Sequence, residues 1–63
     1  MAAVLVIDDD PDVLAVLRTV VERRRDSFTG AADVADGIEV FTRSRPDVVF
    51  CELFPAGLKG FDL

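Results

Sequence analysis

The sequence predicts an α/β fold, a three-stranded parallel sheet with helices on both faces. Three apolar segments alternate with two segments whose apolar residues recur at helical spacing, which indicates the order β-α-β-α-β. Short strands that alternate with amphipathic helices pair in parallel through right-handed crossovers. Helices on both faces require the first strand to lie between the other two, so the expected strand order is 2-1-3.

The first strand is predicted at residues 2–7, "AAVLVI", a continuously apolar run that ends before three aspartates. Such a run is typical of a strand buried on both faces. Pro11 suits the first position of a helix, and Asp10 before it is the expected N-cap. The inward face of this helix is expected to carry Val13, Leu14, Leu17, Val20 and Val21.

The second strand is predicted at residues 27–32, "SFTGAA", where Gly30 lowers the strand propensity. Asp33 is the expected N-cap of a second helix, whose interior Gly37 costs about 1 kcal/mol relative to alanine. The inward residues of this helix are expected to be Val34, Ile38 and Phe41.

Pro46 marks the end of the second helix, because the residue before a proline disfavours helical geometry. A third strand is predicted at residues 47–53, "DVVFCEL", which is again mostly apolar. Cys51 within it is expected to act as a small core residue. The aromatic core candidates are Phe28, Phe41 and Phe50.

Composition indicates a folded chain and argues against several functions. Of the 63 residues, 51% are apolar, and the net charge of −5 makes nucleic acid an unfavourable partner. The single cysteine forms no intrachain disulfide, and no apolar run is long enough for a membrane span. The expectation is one soluble cytoplasmic domain, residues 1–63, that binds neither nucleic acid nor membrane.

Three carboxylates are expected to converge at one edge of the sheet. Asp8 and Asp9 follow the first strand, and Glu52 ends the third, which is its neighbour in the 2-1-3 order. Carboxylates packed together repel one another, and Mg²⁺ binds through one or two carboxylates with water completing its shell. The sequence therefore predicts a weak Mg²⁺ site here; the alternative is that Asp8 and Asp9 form only a solvated loop.

"VLVIDDDPDVL" and "RPDVVFCEL" together resemble the receiver domain of bacterial two-component response regulators. The resemblance implies the N-terminal half of a flavodoxin-like, doubly wound receiver fold. It implies that Asp9 contacts Mg²⁺ directly, that Asp8 acts through water, and that the backbone carbonyl of Phe54 completes the metal shell. It also implies a histidine kinase or another signalling protein as partner, with Glu52 at the position of the phosphoacceptor aspartate.

The chain departs from the receiver pattern at the position of the phosphoacceptor, residue 52. Glutamate replaces the phosphoacceptor aspartate, and receivers also use a hydroxyl residue after strand four and a lysine after strand five. The expectation is a truncated or degenerate receiver that is not an enzyme and acts by protein–protein interaction. Two alternatives stay open: a fragment of a phosphoaccepting receiver, and a Mg²⁺-dependent phosphate-processing enzyme.

The third strand is expected to form an edge of the sheet, and its apolar residues lack the charge or proline that blunts such edges. The sequence therefore predicts a homodimer, formed by pairing of two third strands or by exchange of residues 54–63. The predicted interface residues are Val48, Val49, Phe50, Phe54, Phe61 and Leu63.

Overall fold

A computed structural model describes residues 1–51, which form a parallel sheet between two helices. The elements are β1 (Ala3–Ile7), α1 (Pro11–Arg23), β2 (Ser27–Ala31), α2 (Val34–Ser44) and β3 (Val48–Cys51). The strand order is β2-β1-β3, and β1 pairs in parallel with both neighbours. The predicted fold class and strand order are confirmed, and the predicted first two strands differ from the observed ones by one residue at one end.

The central strand β1 holds the core. Val4, Leu5, Val6 and Ile7 are each at most 7% exposed, because both faces of the strand are covered by a helix. Val4 and Val6 pack on the α1 side, whereas Leu5 and Ile7 pack on the α2 side. This burial confirms the interpretation of "AAVLVI" as a strand buried on both faces.

The amino end of β1 is held by two aspartates, one from each neighbouring strand segment. The amide of Ala2 donates to Asp26 Oδ1 at 2.7 Å, and the amide of Ala3 donates to Asp47 Oδ2 at 2.8 Å. Backbone bonds of 2.8 Å run back from the amides of Ser27 and Asp47 to the carbonyls of Ala2 and Ala3. The three strands are therefore tied together where β1 begins.

Helix α1 begins as predicted. Asp10 is its N-cap, and the Asp10 side chain accepts a hydrogen bond from the amide of Asp12. Val21 is buried against β1, with partly buried Leu14 and Leu17 beside it, but Val20 is half exposed. The inward face of the helix is thus narrower than its apolar stripe.

Helix α2 also begins as predicted, because the Asp33 side chain accepts a hydrogen bond from the amide of Asp36. Its inward face was predicted wrongly for two residues: Ile38 and Phe41 are 48% and 50% exposed. The buried residue is Gly37, where a Cβ atom would lie only 2.7 Å from Cγ1 of Ile7. The helix approaches the sheet most closely at this glycine, and the two larger side chains stay about half exposed beside it.

Both helices lie over β1 and β2, and the faces of β3 are more open. Phe50 is 55% exposed, so its prediction as a core residue is wrong, whereas Phe28 packs against the core as expected. Strand β3 begins at Val48, one residue later than predicted. The structure describes this strand as far as Cys51, so the predicted end at residues 52–53 lies outside the described residues.

Candidate functional site: an acidic loop at the carboxyl edge of the sheet

The acidic loop, residues 8–10, connects β1 to α1 at the carboxyl edge of the sheet. The amide of Asp8 donates to the carbonyl of Ala31 at 3.0 Å, which continues the pairing of β1 with β2. Asp8 Oδ1 accepts a hydrogen bond from the amide of Asp10 at 2.9 Å, and this bond shapes the loop. Asp8 is half-buried, and one of its carboxylate oxygens is already hydrogen-bonded to the backbone.

Asp9 differs from its two neighbours because its side chain stabilises neither the loop nor a helix end within the described residues. Its side chain is exposed, and its carboxylate makes no hydrogen bond or ion pair with any of residues 1–51. Asp10, by contrast, serves as the N-cap of α1. Among the three loop aspartates, Asp9 is thus the one whose carboxylate remains available to a ligand.

The third strand brings its carboxyl end to the same edge. The Cα atoms of Ile7 and Cys51 are register partners across β1 and β3, and Glu52 follows Cys51 in the chain. Glu52 and Phe54 lie outside the described residues, so their predicted parts as acceptor equivalent and carbonyl ligand stay predictions.

Asp8 and Asp9 fit the chemistry of a Mg²⁺ site, because Mg²⁺ takes oxygen ligands and commonly binds only one or two carboxylates. Residues 1–51 hold no group of three or more histidine, cysteine, aspartate or glutamate side chains placed to bind a metal. The described part of the site therefore offers two carboxylates, and a third would have to come from residues outside that range.

Four charged side chains in the terminal turns of the helices follow the helix directions. Both helices begin at the carboxyl edge of the sheet, where Asp12 and Asp36 lie in their first turns. Both end at the opposite edge, where Arg23 and Arg43 lie in their last turns. Helix dipoles favour this distribution, so these charges are explained without a ligand.

An apolar cavity of about 450 Å³ lies next to the site, between α2 and the sheet. Gly37 forms part of its wall, and the thiol-bearing Cys51, which is half-buried, forms another part. The remaining lining residues are Leu5, Ile7, Ile38, Phe41 and Val49. Sequence reasoning missed this cavity, although a glycine inside an amphipathic helix was a signal of close helix–strand approach.

No helix within residues 1–51 combines the length and apolar character that a bilayer span requires. The predicted interface residues Val48 and Phe50 are exposed and Val49 is half-buried on β3. The other predicted interface residues, Phe54, Phe61 and Leu63, lie outside the described range.

Sequence comparison finds similarity to two bacterial proteins, while no family model matches the chain. The chain is 31% identical over 61 residues to the protein PilH of Pseudomonas aeruginosa, which covers 97% of this chain and 50% of PilH. It is 36% identical over 52 residues to the protein Rrf1 of Nitratidesulfovibrio vulgaris, which covers 82% of this chain and 38% of Rrf1. The chain thus spans about half the length of PilH and less than half the length of Rrf1.

Structural comparison finds a solved protein with a similar fold. A crystal structure of a response regulator receiver domain protein from Clostridium thermocellum superimposes with a TM-score of 0.92 at 28% sequence identity. The match covers 98% of this chain and 51% of that protein. The fold is therefore that of about half of a flavodoxin-like receiver domain, with the strand order 2-1-3.

Proposed function

We propose that residues 1–63 form a cytoplasmic receiver-type signalling domain that acts by binding other proteins, without catalysis and without regulated phosphorylation at residue 52. The observation that carries this proposal is a glutamate, Glu52, in the sequence directly after Cys51, whose Cα is the register partner of Ile7 ahead of the acidic loop. A histidine kinase or another signalling protein is the class of partner that the receiver fold implies.

The change from aspartate to glutamate at this position works against phosphoryl transfer. One additional methylene moves a carboxylate by about 1.5 Å, the length of a single C–C bond. Transfer requires the attacking oxygen to lie in line with the leaving group, and a misplacement of about 1 Å can lower a rate about 100-fold. Glu52 retains the charge of the family's acceptor but holds its carboxylate farther from the backbone than an aspartate would.

The proposal includes weak Mg²⁺ binding by Asp8, Asp9 and Glu52, with the Phe54 carbonyl as a further ligand. Asp9 is the direct ligand, since its carboxylate is exposed and makes no bond with residues 1–51. Asp8 is oriented by the amide of Asp10 and acts through water. Bound Mg²⁺ would supply positive charge that offsets the repulsion among these carboxylates.

Incubation with acetyl phosphate and Mg²⁺, followed by intact-mass measurement, tests the phosphorylation claim. Transfer would join phosphorus to a carboxylate oxygen and release acetate. We expect a negligible adduct on the native chain and at least about tenfold more on Glu52→Asp, which restores the shorter acceptor. An adduct mapped to Glu52 at the level of that control would contradict the proposal and favour a phosphoaccepting receiver.

We propose a second copy of this chain as one partner, joined through the outer edge of β3 or by exchange of residues 54–63. Two features support the first geometry: β3 lies at the edge of the sheet formed by residues 1–51, and its side chains Val48 and Phe50 are exposed. An unpaired apolar strand edge favours the addition of another strand. Antiparallel pairing across a twofold axis would give a continuous six-stranded sheet.

Sedimentation equilibrium over a range of concentrations tests the dimer. We expect Phe50→Lys to weaken association because it places a charge on β3. Val16→Lys is the matched control, since Val16 is exposed on α1. It lines neither the cavity between α2 and the sheet nor the groove on the α1 side that Val48 and Phe50 line. Circular dichroism would verify that both variants fold. A native chain that stays monomeric at high micromolar concentration would exclude the dimer while leaving the phosphorylation result untouched.

A further inference from the structure

We propose that Gly37 is a positioning residue for the acidic loop, because it lets α2 rest directly on Ile7 at the carboxyl end of β1. Only the consequence for Mg²⁺ rests on the proposed function; the mechanical coupling of α2 to the loop stands on the described contacts. Gly37 itself touches no ligand, and its effect passes through Ile7 to Asp8 and Asp9.

The contact between Gly37 and Ile7 leaves no space for a side chain. A Cβ atom on Gly37 would lie 2.7 Å from Cγ1 of Ile7, still closer to Cδ1, and 3.5 Å from Cγ2. Ile7 is 2% exposed, and its β-branched side chain is stiff about its first torsion. An alanine at position 37 must therefore displace the helix, the strand end or the Ile7 side chain.

Ile7 is well placed to pass such a displacement to the acidic loop. It directly precedes Asp8, and its Cα pairs with Ala31 on one side and Cys51 on the other. The next ladder bond joins the Asp8 amide to the Ala31 carbonyl. A shift of the Ile7 backbone would thus move Asp8 and Asp9 relative to the end of β3.

Glycine in a helix interior lowers helix stability by about 1 kcal/mol relative to alanine. At most helix positions Gly37→Ala would therefore stabilise the fold. Here the gain in propensity opposes the steric cost against Ile7. The two explanations can therefore be separated, because a propensity effect alone would raise the stability of the fold and leave the loop unchanged, whereas a positioning role requires the loop to move.

Gly30 on β2 provides a matched glycine control. A Cβ atom there would meet the ring of Phe28 at 3.2 Å and Cδ2 of Leu14 at 3.5 Å. These are the outer atoms of side chains that are only partly buried, so they can move aside. Gly30→Ala therefore tests the effect of the same chemical change without pressure on Ile7.

The first measurement is the ¹H–¹⁵N NMR spectrum without metal. We expect Gly37→Ala to shift the amide signals of Asp8 and Asp9, whereas Gly30→Ala leaves them much closer to their native positions. The substitution Ile7→Val removes Cδ1, the atom nearest to the new methyl group. The shift that Gly37→Ala causes should therefore be smaller when it is added to Ile7→Val, and measured against Ile7→Val alone, than when it is added to the native chain. If Gly37→Ala does not fold, this comparison of the double variant with Ile7→Val carries the test.

The second measurement is a Mg²⁺ titration of the same variants. We expect Gly37→Ala to lower the Mg²⁺ affinity about tenfold, the order of effect of a residue that orients a metal ligand. Unchanged Asp8 and Asp9 signals in folded Gly37→Ala, with Ile7 turned into the adjacent cavity, would overturn the proposal. Shifted loop signals in a chain whose native form binds no Mg²⁺ would retain the coupling and reject the metal site instead.

Discussion

The two edges of the sheet use aspartate for different purposes. At the amino edge, Asp26 and Asp47 each accept a backbone hydrogen bond from the start of β1 and so bind the strands together. At the carboxyl edge, Asp8 has one oxygen engaged by the backbone, and Asp9 makes no bond with residues 1–51. A carboxylate oxygen that accepts from a backbone amide contributes to stability, whereas an oxygen that does not is available to a ligand. The comparison predicts which aspartates are structural and which are functional.

Asp26→Ala should have the largest effect on the free energy of unfolding. It removes the 2.7 Å hydrogen bond to the amide of Ala2 and leaves that part-buried donor without its acceptor. Loss of a hydrogen bond to a charged group costs about 1.5–3 kcal/mol. The free energy of unfolding is measured by urea denaturation monitored by circular dichroism. Asp26→Asn is the control, because it keeps an acceptor oxygen. A decrease in the free energy of unfolding of less than about 0.5 kcal/mol would mean that the stability of the amino edge does not depend on Asp26.

Arg45→Gly should change stability by less and in the opposite direction. Arg45 caps α2 with a φ of 51°, a left-handed conformation that costs an L-residue about 1 kcal/mol and costs glycine little. The helix end should therefore become more stable by up to that amount, as measured by the urea midpoint. Arg43→Gly is the contrasting variant, since Arg43 lies within the helix and glycine there should destabilise it. Equal effects from the two changes would contradict the conformational explanation.

Asp9→Ala should have the smallest effect on stability and a clear effect on binding. Because its carboxylate bonds to none of residues 1–51, the free energy of unfolding without metal should change by less than about 0.5 kcal/mol. The Mg²⁺ affinity of the proposed site should fall at least about tenfold, measured by calorimetric titration. A marked loss of stability would show that Asp9 is structural, like Asp26, and would remove the contrast between the two edges.

Much of the fold could be predicted from local sequence signals. Asp10 and Asp33 are N-caps because each aspartate directly precedes a segment with helical periodicity. The strand order followed from the alternation of apolar runs with amphipathic segments. The acidic loop was also predicted from a local signal, because Asp8 and Asp9 directly follow the most apolar run in the chain. Each of these features depends on residues close together in sequence.

Which face of α2 turns toward the sheet was decided by tertiary packing. Periodicity placed Ile38 and Phe41 inward, but the helix approaches β1 most closely at Gly37, so both larger side chains lie at its flank. The exposure of Phe50 has a related cause, because both helices pack over β1 and β2 rather than over β3.

The sequence by itself determined the elements, their order and the edge at which the loop acids lie. Tertiary structure decided the contacts between distant residues: Gly37 on Ile7, and Asp26 and Asp47 on the start of β1. The physical reason is that periodicity and capping depend on neighbours within one or two turns. The distance between a helix and a strand depends instead on how two surfaces fit, and this can be evaluated only after both have been assembled.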